Sequence, residues 1–230
     1  MCSSDLLGLC GICLGIGSLL ARFSHPSVSP MGQSNIGMNA NPIQEFRAWY
    51  AAAVDSKKIM DPTAMVVASG KPDGSVDARV VLLKQVTDVG FYFVSNYQSS
   101  KARDFEANAH VAVVFHWDAL EQQIRIRGRI AKAEAEFSDN YFQSRSRDSQ
   151  LGAWASAQSQ VIPDRDALSH ALAEVRDRFE DQPVPRPSHW GGYCIQPDAV
   201  EFWLGQPHRL HDRFLYSRVG DSWTCVRLSP

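Results

Sequence analysis

The chain has 230 residues, 44% of them hydrophobic and 21% charged, with 23 Lys and Arg against 25 Asp and Glu. That is the composition of a soluble globular protein of one large domain or two small ones, and the formal net charge of -2 lacks the basic excess of a nonspecific nucleic-acid binder. The five cysteines include Cys2, Cys10 and Cys13 near the start and Cys194 and Cys225 near the end, a pattern that makes no disulfide framework and fits a reducing, cytoplasmic compartment.

Leu6 to Ala21 is an uncharged apolar run of 16 residues, shorter than the ~20 that a membrane-spanning helix needs. Met1 to Asp5 carries no basic residue, so the run makes a poor signal peptide. Cys10-Gly-Ile-Cys13 has the spacing of a metal-ligand pair, but no second pair or nearby His completes a ligand set. Ser24 to Asn41 is a linker by its Ser, Pro, Gly and Asn content. Residues 1–40 are expected to stand outside the fold as an over-extended reading frame, a targeting leader or a weak membrane anchor. Residues 41–230 are expected to form the domain.

Asn41-Pro42 starts a helix, with Asn as cap and Pro at the first helical position. Ile43, Phe46, Tyr50 and Val54 give it one apolar face to about Ser56. Strands are expected at Ala64 to Ala68 and Val76 to Lys84, joined by a hairpin turn at Lys71-Pro-Asp-Gly74. A third strand runs from Phe91 to Ser95 and a serine-capped helix from Ser99 to Glu106. Strands follow at His110 to Trp117 and Gln122 to Ala133. In the latter, Ile124, Ile126 and Ile130 alternate with Arg125, Arg127 and Arg129 about Gly128, so one face is buried. Helices are expected at Glu136 to Arg145, Asp148 to Ala157 and Asp164 to Glu180, the last with Leu168, Ala171, Leu172, Val175 and Phe179 inward. Gly192 to Ile195, Val200 to Leu204, Arg209 to Ser217 and Trp223 to Leu228 complete an antiparallel meander. The fold class is mainly β with inserted helices (α+β), an antiparallel barrel.

Four basic clusters carry candidate chemistry: Arg79 with Lys84; Ser99-Ser100-Lys101 at a helix start; Arg145 to Ser149; and Arg209, His211 and Arg213. Read as extended chain, the last three share one strand face, with the two arginines roughly 13 Å apart. Arg captures phosphate through a fork and Lys as a point charge, and a free helix N-terminus accepts anions. Together, with Ser, Gln and Tyr among them, the clusters favour phosphorylated ligands. Trp203 alone reads as core, Gln158-Ser159 as an ordinary loop, and His116 and His189 as structural. No Gly-rich nucleotide fingerprint, P-loop, HExxH or GxSxG is present.

Asp61-Pro-Thr-Ala-Met-Val-Val-Ala68, Arg79-Val-Val-Leu-Leu-Lys84, Ser144-Arg-Ser-Arg-Asp-Ser-Gln-Leu-Gly-Ala-Trp154, Pro187-Ser-His-Trp-Gly-Gly192, and Glu201-Phe-Trp203 through His208-Arg-Leu-His-Asp-Arg-Phe-Leu-Tyr216 occur in that order. From about Asn41 to Pro230 the chain resembles the pyridoxamine/pyridoxine 5'-phosphate oxidase family. The resemblance implies an FMN-binding split β-barrel and a homodimer with FMN at the interface. It also implies oxidation of pyridoxine or pyridoxamine 5'-phosphate by O2 to pyridoxal 5'-phosphate, with release of peroxide, and of ammonia from the amine. By motif, the FMN contacts fall on Arg79, Val80, Val81, Leu82, Leu83 and Lys84, on Val94, Ser95, Ser100 and Lys101, and on Gln123, Gln158, Ser159, Trp203 and Arg213. Substrate contacts fall on Lys84, Tyr141, Arg145, Ser149, Arg209 and His211. Arg209, His211 and Asp61 are the catalytic candidates. Three departures from similar oxidases stand out. Ser100 occupies a position usually held by Arg, which implies weaker FMN binding unless Ser100 and Arg103 compensate. Val94-Ser95 replaces a common Tyr-Thr pair, and the N-terminal segment that covers substrate in some members has no counterpart in residues 22–41. Two competing readings are a split-barrel flavoprotein with another substrate, such as a flavin reductase, and a noncatalytic carrier of flavin or pyridoxal phosphate.

Overall fold

The computed structural model describes residues 39–230. The expectations for the apolar run, the Cys10–Cys13 pair and any N-terminal lid lie outside the described residues. Among those residues no helix is long and apolar enough to cross a membrane.

Helix α1 (Pro42–Ser56) begins as its sequence demands: the Asn41 side chain accepts a hydrogen bond from the Ile43 N–H at 2.8 Å. Its buried face carries Ile43, Phe46, Trp49 and Ala53. Phe46 packs edge-on against Phe91 and Phe115, and Trp49 against Phe202, so the helix covers the sheet's apolar interior. Nine strands make one antiparallel sheet: β1 (Ala64–Gly70), β2 (Val76–Leu82), β3 (Gln85–Val86), β4 (Phe91–Asn96), β5 (His110–Trp117), β6 (Gln122–Lys132), β7 (Trp190–Leu204), β8 (Asp212–Val219) and β9 (Ser222–Leu228). The order is β2-β1-β5-β6-β7-β4-β3, with β8 and β9 added to the far half of β7. The two edges of that path are joined by the chain itself. The Leu83 N–H donates to the Thr63 carbonyl and the Lys84 N–H to the Tyr92 carbonyl, each at 2.8 Å. The sheet therefore curls into the half-barrel that the sequence led us to expect. Helix α2 (Ser100–Ala107) follows β4, while α3 (Ala135–Ser144), α4 (Arg147–Ala155) and α5 (Arg165–Arg178) lie between β6 and β7.

Three local expectations need correction. The two strands expected at Gly192 to Ile195 and Val200 to Leu204 are one strand, β7, running through Pro197. Pro197 stands opposite Gly128, where the register of β6 slips. A Cβ on Gly128 would lie 2.0 Å from the Gln196 carbonyl oxygen, so only glycine lets the backbones meet there, and the bulge absorbs the N–H that proline lacks. The strand expected from Arg209 starts only at Asp212. Pro207 to Arg209 forms a tight turn, and His208 and Arg209 take left-handed φ of 59° and 62°, so Arg209 does not alternate with His211 and Arg213 along one face. Leu168, expected inward, is exposed, because α5 lies shallowly on the surface with only its C-terminal neighbour Phe179 buried.

Candidate active site

A cleft of about 720 Å³ opens between the outer surface of β2 and β4 and helices α2, α3 and α4. A small apolar cluster of Phe142, Leu151, Ala153, Phe179, Val184 and Trp190 seats α3 and α4 against the start of β7. That packing holds the two-residue link Arg145-Ser146 over the sheet. Of the residues expected at the site, Val80, Val81, Leu82, Lys84, Val94, Ser95, Lys101, Tyr141, Arg145, Ser149 and Gln158 line this one cleft.

The cleft has two cationic ends. At one, the Arg145 guanidinium stacks 4.7 Å above the Trp190 ring, and its buried Nη1 has no hydrogen-bond partner among the described residues. Burial holds its pKa below the usual arginine value. Lys84 Nζ lies 5.6 Å over the Tyr141 ring, which stacks on Trp190. Ser146 caps α4 by accepting from the Ser149 N–H, and its hydroxyl donates to Ser149 Oγ at 2.9 Å. At the other end, Lys101 Nζ reaches Ser95 Oγ at 3.3 Å, Ser99 Oγ at 3.4 Å and Gln158 Oε1 at 3.2 Å. Burial, and then the nearby charge of Arg79, lower the Lys101 pKa. None of Lys84, Lys101 and Arg145 has a carboxylate partner among the described residues. A buried guanidinium nitrogen without an acceptor at one end and an ammonium held only by neutral oxygens at the other suit two phosphoryl groups.

Arg79 stands behind the Lys101 end. Its Nη1 donates to Ser69 Oγ at 2.8 Å and its Nη2 to Asp77 at 2.7 Å. Ser99, expected to cap α2, makes no side-chain cap and instead accepts from Lys101. Arg103 donates to the Gln98 carbonyl on the surface, so it does not replace the charge that Ser100 lacks. Ser100, Leu83 and Ser159 do not line the cleft; Leu83 is in the core, and Ser159 takes a φ of 68° in an exposed loop.

Gln123, Trp203, Arg209, His211 and Arg213 form a second group, apart from the cleft of the same chain. Gln123, Trp203 and Arg213 are consecutive partners across β6, β7 and β8. Arg213 is held by Glu201 at 2.9 Å, and Glu201 also takes Arg125 at 3.1 Å. The ring centroids of Trp203 and His211 lie 4.5 Å apart, and His211 Nδ1 accepts from the Gln206 N–H at 3.1 Å, which leaves Nε2 as the outward nitrogen. Trp203 is half-buried rather than in the core. Arg209 is exposed beside this group. Asp61 is in neither group: its carboxylate accepts from the backbone and hydroxyl of Thr63 and closes a turn.

Sequence reasoning missed Asn96, Ser146, Ser156 and Trp190 as cleft residues. Ser146 was legible as a cap three residues before Ser149; Trp190 became visible only once α3 and α4 were docked on it.

Residues 56–179 match the family model described as pyridoxamine 5'-phosphate oxidase, and residues 190–230 match one described as the pyridoxine 5'-phosphate oxidase C-terminal dimerisation region. A pyridoxine/pyridoxamine 5'-phosphate oxidase of Rubrobacter xylanophilus is 47% identical over 199 residues, covering 86% of this chain and 91% of the relative. One of Paraburkholderia xenovorans is 46% identical over 203 residues, covering 87% and 94%. Among solved structures, PhzG of Burkholderia lata in complex with tetrahydrophenazine-1-carboxylic acid superposes with a TM-score of 0.79 at 30% identity, covering 84% of this chain and 95% of that one. A pyridoxamine 5'-phosphate oxidase-related, FMN-binding protein of Nostoc punctiforme shares the fold at 15% identity, with a TM-score of 0.65 and coverage of 85% and 100%.

Proposed function

Because the chain belongs to the pyridoxamine 5'-phosphate oxidase family, we propose that it is an FMN-dependent oxidase of pyridoxamine and pyridoxine 5'-phosphates. O2 is the electron acceptor, pyridoxal 5'-phosphate and hydrogen peroxide are the products, and ammonia leaves from the amine. The observation that carries this reading is the Nη1 of Arg145, without a partner among the described residues, in the same cleft as Lys84. Two cations and the Ser149 hydroxyl suit the double charge of a phosphate monoester better than the single charge of a carboxylate such as the ligand of the Burkholderia relative.

In this reading Lys101, Arg79 and the N-terminal turn of α2 hold the FMN phosphate, and Lys84, Tyr141, Arg145 and Ser149 hold that of the substrate. When bound, FMN would supply the chemistry of hydride acceptance and of reoxidation by O2. The chain contributes position and charge. Arg209 and His211 lie over the substrate ring, with His211 Nε2 as the group able to hold or pass a proton. Gln123, Trp203, Arg209, His211 and Arg213 stand apart from the cleft of their own chain, so a second copy supplies them and the site is complete in a homodimer. The match to a dimerisation region supports this arrangement. So do the exposed apolar side chains of Val66 beside the cleft and of Val80 and Leu82 along its wall, on paired strands. The oxidase domain spans residues 41–230 and works in the cytoplasm, where a role in supplying pyridoxal phosphate would place it.

The test is a flavin spectrum of the purified protein followed by turnover. A yellow protein that converts pyridoxamine 5'-phosphate to the aldehyde, releases peroxide and discriminates against unphosphorylated pyridoxamine is the expected result. A colourless protein that gains no activity with added FMN would overturn the proposal.

A further inference from the structure

Behind the Lys101 end of the cleft stands a charge that the oxidase reading does not use, the carboxylate of Asp77 paired with Arg79. Arg79 has five N–H donors, and four already face partners within the chain. Nη1 donates to Ser69 Oγ at 2.8 Å and the Val67 carbonyl at 3.2 Å, while Nη2 donates to Asp77 at 2.7 Å and Asp104 at 3.5 Å. The two carboxylates differ. Asp104 lies on α2 with its side chain 8% exposed, and it also accepts the Ser69 hydroxyl at 2.8 Å, so it is fixed. Asp77 lies on β2, two residues before Arg79, with its side chain 47% exposed and the adjacent Ala78 N–H as its other partner. The bond and charge of Arg79 hold the Asp77 carboxyl below the usual carboxylate range, so it is ionised at neutral pH. Ser100 brings no charge. The side chains around this end therefore sum to zero: Arg79 and Lys101 against Asp77 and Asp104.

We propose that Asp77 competes with the flavin phosphate for Arg79 and thereby sets the FMN affinity of this chain. The inference rests on the assignment of the FMN phosphate to the Lys101 end. A phosphate that takes Arg79 through a fork needs Nη2 beside the Nε–H, which is free among the described residues, and so must displace a present acceptor, and Asp77 is the one with room to leave. It swings toward solvent, Arg79 turns its Nη2 to the phosphate, and Asp104 with Ser69 keeps the guanidinium in place. Asp77 is then a brake, and it narrows the preference for a phosphorylated flavin. Only a ligand with enough negative charge to outcompete a carboxylate gains Arg79, so FMN is favoured over riboflavin by less than the two cations alone would allow.

The experiment measures quenching of flavin fluorescence by the full-length protein after removal of its flavin, comparing the wild type with Asp77→Asn and Asp77→Ser. FMN affinity should rise about two- to fivefold in both variants, the range expected for relief of competition from a partly exposed ion pair. The gain should shrink at high salt. Riboflavin, which lacks the phosphate, should bind all three proteins alike. Weaker FMN binding by Asp77→Asn would mean that Asp77 aims Arg79 at the phosphate, and would overturn the proposal. Unchanged FMN binding, or an equal shift for FMN and riboflavin, would overturn it too. Failure of the wild type to bind either flavin would instead remove the oxidase reading on which the proposal stands.

Discussion

Replacing Arg145 with alanine separates the two ends of the cleft. The guanidinium has a buried Nη1 with no partner among the described residues, so a substrate phosphate gains its bonds without displacing an existing acceptor. Hydrogen bonds to a charged group contribute about 1.5–3 kcal/mol, and the missing competitor places this one in the upper half of the range. A loss of about 2–3 kcal/mol raises KM for pyridoxamine 5'-phosphate about 30- to 150-fold. The flavin end is bounded by Lys101, Ser95 and Gln158, none of which touches Arg145, so bound flavin should remain near one per chain. Thermal stability should change little. Relief of the half-buried, partnerless charge opposes the loss of its stacking on Trp190 at 4.7 Å, an interaction of about 0.5–2 kcal/mol. Arg145→Lys should recover part of the loss through charge, but not the forked geometry. The assay is steady-state turnover together with flavin absorbance and a melting curve. Loss of flavin with KM unchanged would show that the two phosphates have been assigned to the wrong ends, and a collapse in Tm would show that Arg145 is structural.

Two further outcomes follow from the geometry. The Lys101 pKa lies below its ordinary 10.5, chiefly through burial; the charged form that holds a phosphate is lost as pH rises through the lowered value. FMN affinity should therefore fall on the alkaline side sooner than an ordinary lysine would dictate, and Lys101→Arg should abolish that fall. For folding, the penalty of charging Lys101 is present below the lowered pKa and vanishes above 10.5, so its contribution favours the folded chain as pH rises across that window. Parallel alkaline losses in wild type and Lys101→Arg would exclude Lys101 as the phosphate ligand. Gly128→Ala should destabilise the barrel by about 3 kcal/mol or more, because the new methyl would meet the Gln196 carbonyl oxygen at 2.0 Å and backbone cannot move aside as a side chain can. Urea denaturation reads this directly, and a midpoint equal to that of the parent would show that the bulge can open without cost.

What the sequence settled by itself was mostly local. Asn41-Pro42 placed the start of α1, the turn at Lys71 to Gly74 joined β1 to β2, and the Ile/Arg alternation from Ile124 to Ile130 told which face of β6 is buried. Each signal is written within a few residues, where caps, turn preferences and strand alternation act. The ordered motifs also carried the family resemblance. Tertiary structure decided whatever depends on partners far along the chain. Only the register of β6 against β7 shows why Pro197 does not end a strand. The pairing of Leu204 with Asp212 turns residues 205–211 into a connection, which takes Arg209 off the face it was expected to share with Arg213. The docking of α3 and α4 leaves the buried Arg145 Nη1 without an acceptor among the described residues, and the approach of α2 brings Asp104 to an Arg79 already paired with Asp77 on its own strand. Desolvation and competition for a guanidinium arise from what surrounds a charge, and a linear list of residues records the charges without their surroundings.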